Sequence, residues 1–192
     1  MKNKSVYIYC FFCFAALLVS CSETYTPKPY GYVRIDVPDT VYSIFHPNKY
    51  PYSFNLSDNA RISERKDADE LYWIDIEYPR YSAVIHCSYK PINNNLSILS
   101  EESEKFVYKH AQMATSIPEQ GYEDPERKVF GVLFEIQGNT ASPYQFILTD
   151  STRHFFRGAA YFNCTPNQDS LSPITQYIRT DIIELIESFE WK

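Results

Sequence analysis

Hydrophobic and polar positions alternate with a period of two in most of the chain and shift to a helical period in two places. Gly31–Val37 (GYVRIDV) alternates and stops at Pro38, so it reads as a first strand, and Tyr50–Asn55 and Ala60–Ser63 are short strand candidates. Leu71–Tyr78 and Tyr81–Lys90 alternate strongly across Pro79-Arg80, which predicts a hairpin. Lys128–Gln137 and Tyr144–Thr149 follow, and the second turns through Asp150-Ser151-Thr152 into Arg153–Asn163, another antiparallel hairpin. The charged stretch Glu64–Glu70 reads as a solvated loop.

The helical period appears first after Ser100, where Glu101 and Glu102 follow a hydroxyl cap and Phe106, Val107, His110, Ala111 and Ala114 recur before Pro118. This predicts a helix over about 100–117. Ser172-Pro173 then opens a second, over about 173–189, with the stripe Ile174, Tyr177, Ile178, Ile182, Leu185, Ile186 and Phe189. Strands, helix, strands, helix give an α+β fold, expected as a single domain over 31–192 with a mainly antiparallel β-sheet and two packed α-helices.

The first twenty residues follow another rule. Lys2 and Lys4 precede the uncharged run Val6–Val19, which is too short for an ordinary membrane span and has the layout of a signal peptide over 1–20. Leu18-Val19-Ser20-Cys21 resembles a bacterial lipobox, so Cys21 is the expected lipidation site and first mature residue, followed over 21–30 by an extended tether of at most ~30 Å; an uncleaved anchor or an ordinary cleaved signal is the alternative. Several acyl chains, each CH₂ worth ~0.8 kcal/mol of burial, hold such a protein on a membrane permanently. Cleavage removes two lysines and no acid, taking the net charge from −6 to −8. Ser22 after the cysteine favours the outer membrane, facing the periplasm, with the inner membrane as the alternative.

Composition narrows the chemistry. Five glycines leave no room for a glycine-rich phosphate loop, and an acidic chain lacks the basic face a nucleic-acid binder needs. The 17 tyrosines and 13 phenylalanines suit a pleated, half-buried surface. Of five cysteines, Cys10 and Cys13 leave with the signal, and Cys87 and Cys164 remain as candidates either for a disulfide in an oxidising envelope or for two separate buried thiols. No CxxC or HxxxH spacing supports a metal, no cofactor motif is present, and no catalytic signature recurs around His46, His86, His110 or His154, so the expectation is a non-enzymatic protein. Asp75 and Glu77 read as a solvated strand face. Two segments invite a partner: the small polar loop Gln137–Ser142, with Gly138, Asn139 and Ser142, and Arg153–Gly158, with Arg153, His154 and Arg157, whose arginines are expected on one strand face within reach of a carboxylate such as Glu135.

The runs KPYGYVRID (28–36), YPYSF (50–54), IHCSYKP (85–91), QFILTDSTRHFFRGAAYF (145–162), PNQDSLSP (166–173) and IRTDIIELIESFEWK (178–192) resemble the gliding motility lipoprotein GldD family of Bacteroidota, over about residues 26–192. The resemblance implies a role in gliding motility and in the type IX protein secretion on which it depends, with other proteins of that machinery as partners, and carries no catalytic residues. Asp39-Thr40-Val41, Asp150-Ser151-Thr152 and Asp169-Ser170-Leu171 resemble the acceptor for O-glycosylation of exported proteins in the same lineage, at Thr40, Ser151 and Ser170. An envelope ligand-binding lipoprotein, with an aromatic pocket for a glycan, lipid or small molecule, is the alternative reading. A hydrolase using His86 or His154 with a carboxylate is the third.

Overall fold

The structure is a computed structural model and describes residues 39–65, 71–109, 113–163 and 168–192. These all lie in one compact unit. The expected signal peptide, the Cys21 anchor, the tether and the strand Gly31–Val37 fall outside the described residues, as do His110, Ala111 and Cys164.

Twelve strands and two helices run in the order β1 (Tyr42–Phe45), β2 (Tyr52–Ser57), β3 (Arg61–Glu64), β4 (Ile74–Tyr78), β5 (Ala83–Pro91), α1 (Leu96–Tyr108), β6 (Ala114–Ser116), β7 (Glu119–Asp124), β8 (Val129–Glu135), β9 (Gln137–Gly138), β10 (Tyr144–Thr149), β11 (His154–Phe162), α2 (Gln168–Glu187) and β12 (Glu190–Trp191) among the described residues. Seven strands form one antiparallel sheet in the order β3-β4-β5-β11-β10-β8-β7. A three-stranded sheet, β1-β2-β12, and the pair β6-β9 complete it. The mainly antiparallel α+β architecture expected from the sequence is what folds.

Period-two patterning explains the layers, because successive side chains of a strand point to opposite faces. On one face of the large sheet, Ile74, Ile76, Ile85, Phe146, Leu148 and Phe156 are buried under α2 and the small sheet, which contribute Ile178, Ile182, Leu185, Tyr52, Phe54 and Phe189. The opposite face carries a smaller core, in which Phe134, Ile147 and Phe155 meet Leu99 and Val107 of α1. Gly158 sits where β11 passes beneath the Phe146 ring; a Cβ there would lie 2.2 Å from two ring carbons.

Both helices start earlier than expected. α1 begins at Leu96, directly after the Asn93–Asn95 turn, so Ser100 lies inside it. Its buried stripe is Leu99, Ser103 and Val107, with the Ser103 hydroxyl donating back to the Leu99 carbonyl at 2.8 Å. Phe106 is half exposed, and Ala114 belongs to β6, where pairing with β9 overrides helical spacing. α2 begins at Gln168, which puts Pro173 in its second turn instead of at its start. As the sixth residue, Pro173 lies beyond the first four N–H groups, so its missing N–H removes one intrahelical bond.

Candidate functional site

The β10–β11 hairpin organises the residues singled out from the sequence. Asp150 builds its turn. One carboxylate oxygen accepts the backbone N–H groups of Thr152 (3.0 Å), Arg153 (2.7 Å) and His154 (2.8 Å), while the other accepts the Thr152 hydroxyl at 2.8 Å. Burial pushes this carboxyl up, and the backbone donors outweigh burial to bring it down to about 2. Ser151 follows with φ 64° and is exposed at the turn tip. Thr40 is half-buried and donates to the Tyr177 hydroxyl at 3.1 Å; Ser170 falls in α2, with its side chain outside the described residues.

Arg153 and Arg157 do not share a strand face. β11 begins at His154, so Arg153 belongs to the turn and its side chain is exposed. His154 points toward α2 and the small sheet: its Nδ1 meets the Tyr89 hydroxyl at 2.8 Å and its ring stacks on Trp191, centroids 5.1 Å apart. Burial lowers its pKa below the ordinary histidine value. Arg157 points to the α1 side. Glu135 is on the other face, where Arg179 of α2 holds it with Nη2 at 2.5 Å and Nε at 2.8 Å. The expected pairing of Glu135 with the β11 arginines is therefore replaced by Arg179, because Glu135 pairs in register with Tyr144 and Ala160, on the opposite parity from Arg157.

Gly138, Asn139 and Ser142 lie at the other end of β10, about 20 Å from the Asp150 turn at ~3.3 Å per residue. Gly138 has φ 114°, and a Cβ there would sit 2.8 Å from the Met113 carbonyl oxygen, so the β6–β9 approach requires glycine. A groove of about 310 Å³ runs from Gly138 and Thr140 to Ser172 and Gln176 of α2. Asn139 is exposed beside it; Ser142 is fully buried, which turns its hydroxyl away from any partner. The two segments expected to meet a partner thus sit at opposite ends of the sheet.

A second arrangement was not anticipated. Arg157 is half-buried on the α1 face of β11; its Nη2 donates to Gln145 Oε1 at 2.7 Å and the Phe106 ring lies 4.7 Å from its guanidinium carbon. Among the described residues no carboxylate comes within ion-pair distance of it. Burial pushes its pKa below the usual guanidinium value. Gln145 is itself 1% exposed and its Nε2 has no hydrogen-bond partner among the described residues. An unsatisfied buried amide of this kind costs ~1–3 kcal/mol. Beside it Arg65 stacks over Trp73 at 5.6 Å, and Arg65, Trp73, His86, Lys90, Phe106 and Arg157 all line a groove of about 230 Å³ under α1. Arginine beside aromatic was legible at Phe155-Phe156-Arg157, whereas Arg65, Trp73 and Phe106 are brought in by strand order and by α1.

His86 Nδ1 lies 2.7 Å from Asp75 Oδ1, so Asp75 is half-buried and paired, not a freely solvated acid. That pair resembles a base with its orienting group. No hydroxyl or thiol hydrogen-bonds His86 among the described residues: Ser88 is two residues along the same face, ~7 Å away, and Cys87 points to the opposite face. Cys87 is a fully buried free thiol whose pKa burial raises well above the ordinary range. No group of three or more potential metal ligands occurs among the described residues.

A family model for gliding motility lipoprotein GldD matches residues 22–191. No curated protein matches the chain. The fold is similar to that in the solution structure of cyanobacterial PsbP (CyanoP) from Synechocystis sp. PCC 6803, at 11% identity over 86% of this chain and 100% of that one, with a TM-score of 0.50. At that identity the likeness is one of fold alone.

Proposed function

The chain belongs to the gliding motility lipoprotein GldD family, and on that premise we propose that it is a non-enzymatic, membrane-held component serving gliding motility and type IX protein secretion through contacts with other proteins. The family match over residues 22–191 carries this reading, since it begins at the residue after Cys21 and so meets the expected lipid attachment point. A lipoprotein of this family is anchored in the cell envelope. We place the lipid on Cys21 in the outer membrane and the domain on its periplasmic side, within the ~30 Å reach of the tether.

Two features of the body favour protein contact over catalysis or ligand capture. Its aromatic side chains are spent on the interior, where Tyr52, Phe54, Phe156 and Phe189 pack ring to ring. Its outer surface keeps large apolar groups at Val41, Ile44, Leu71, Ile98, Phe106, Tyr108 and Met113, each at least half exposed. Apolar groups gathered in one place mark interaction sites, and Leu71, Tyr72 and Ile98 line one groove beside α1.

The test is a clean deletion in the native cell, scored for colony spreading and for type IX substrates in the culture medium. Loss of both is expected. Wild-type spreading together with wild-type secretion rejects the proposal.

A further inference from the structure

We infer that the groove beneath α1 is the partner-docking surface, and that its occupant is an extended protein segment presenting a carboxylate to Arg157 and an apolar side chain to Leu71, Tyr72 and Ile98. The inference rests on the partner-binding reading above and names the surface and the chemistry of what it takes.

Arg157 is the starting point. Its guanidinium is half-buried and lacks a carboxylate partner among the described residues, while Gln145 fixes one end of it and Phe106 covers one face. A desolvated cation without its counter-charge is unfavourable until an anion arrives, and a guanidinium pre-oriented in this way offers its remaining donors as a fork suited to a carboxylate. Gln145 gives a second, independent observation. It is a buried amide with an Nε2 that has no partner among the described residues, and its Oε1 accepts the bond that orients Arg157. Packing alone favours an apolar side chain at this position, as at neighbouring Phe134 and Ile147.

The shape selects a segment over a lone anion. The Arg157 groove, about 230 Å³, shares Lys90, Leu99 and Glu102 with a larger one of about 640 Å³ lined by Leu71, Tyr72, Asn95 and Ile98. The two grooves lie side by side along α1, cationic at the Arg157–Arg65 end and apolar at the other, where Leu71 is 72% and Ile98 57% exposed. A free phosphate or acetate uses only the first end. A chain carrying an acidic and an apolar side chain fills both. Against a protein of net charge −6, a local pair of arginines set between Trp73 and Phe106 also selects an acidic stretch in one place only.

The test uses the full-length lipoprotein in detergent and a fluorescein-labelled peptide of alternating glutamate and leucine, followed by anisotropy. Saturable binding is expected, weakened at least about tenfold by replacing each glutamate with glutamine and by Arg157→Gln. Ile98→Ala, at an exposed position that leaves the fold intact, is expected to weaken the acidic and the neutral peptide alike. Arg157→Lys, which keeps the charge and loses the fork, is expected to fall between wild type and Arg157→Gln. Equal binding of acidic and neutral peptides, or wild-type affinity of both Arg157→Gln and Ile98→Ala, overturns the inference. Displacement of the peptide by inorganic phosphate with no effect of Ile98→Ala shows a small-anion site and overturns it too. Absence of peptide binding alongside a deletion that abolishes spreading removes the groove and leaves the family role standing.

Discussion

Two phenylalanines, one inside and one outside, test the layering on which the docking surface depends. Phe189 follows α2 where the helix, the small sheet and the large sheet meet. It is fully buried, with ring centroids 4.7 Å from Trp191, 5.1 Å from Phe156 and 5.8 Å from Tyr52. Its neighbours are rings locked by their own contacts, so Phe189→Ala leaves a cavity that collapses little, and such changes cost ~3–5 kcal/mol. At ~2–4 °C per kcal/mol for a domain of this size, Tm falls by about 6–20 °C. Phe106 is 50% exposed. Phe106→Ala loses half a side-chain burial, ~1 kcal/mol, and a cation–π contact of ~0.5–1 kcal/mol, offset in part by the better helix propensity of alanine. The net is about 1 kcal/mol, or about 2–4 °C. Thermal unfolding of the purified variants by circular dichroism separates the two. Equal losses refute the assignment of Phe106 to the surface. A Phe189→Ala loss under about 1 kcal/mol refutes the aromatic junction.

Asp150→Ala removes an acceptor for three backbone N–H groups and is expected to cost ~1.5–3 kcal/mol in urea unfolding, with Asp150→Asn recovering part of it. Because the folded carboxyl is held below its unfolded value of about 3.9, its contribution is present above pH ~4 and lost as pH falls toward 2; an unchanged acid limb in Asp150→Ala contradicts this. Asp181 has the opposite sign. It is buried in α2, accepts the Tyr42 hydroxyl at 2.8 Å, and burial raises its pKa against the hydroxyl donors around it. Its favourable contribution is present below the unfolded value and lost as pH rises through the raised one, so Asp181→Asn should match or exceed wild-type stability at neutral pH and flatten the decline between acid and neutral pH. A large loss at neutral pH counts against it. In reduced protein, Cys87 should resist maleimide when native and label on unfolding in guanidinium; labelling at the rate of a surface thiol contradicts its burial.

The strands of this domain were legible wherever one face is buried and the other is not. Tyr144–Thr149 folds with the boundaries its pattern predicts, and the Asp150-Ser151-Thr152 turn closes as its chemistry requires. Elements whose identity comes from a neighbour were not legible. β7 is a polar edge strand, EQGYED, that exists by pairing with β8, and β12 is two residues long and set by pairing with Ser53 and Tyr52. Helix starts were misplaced because Ser100 and Ser172-Pro173 look like caps, while the Asn93–Asn95 turn had already begun α1. The same distinction governs the candidate site. Arg157 was visible as an arginine among aromatics, but its separation from Arg153 depends on a one-residue strand boundary, and its groove depends on α1 crossing β10 and β11 with Phe106 left outside. Register and helix placement are tertiary decisions that local pattern does not carry.

In the proposed role, membrane attachment and motility meet in one residue, Cys21. Cys21→Ala protein, expressed in a strain lacking the wild-type gene, should be found in the soluble fraction and fail to restore colony spreading. Retention in the membrane fraction, or full spreading with the protein soluble, would contradict the account of a lipid-held component of the gliding machinery.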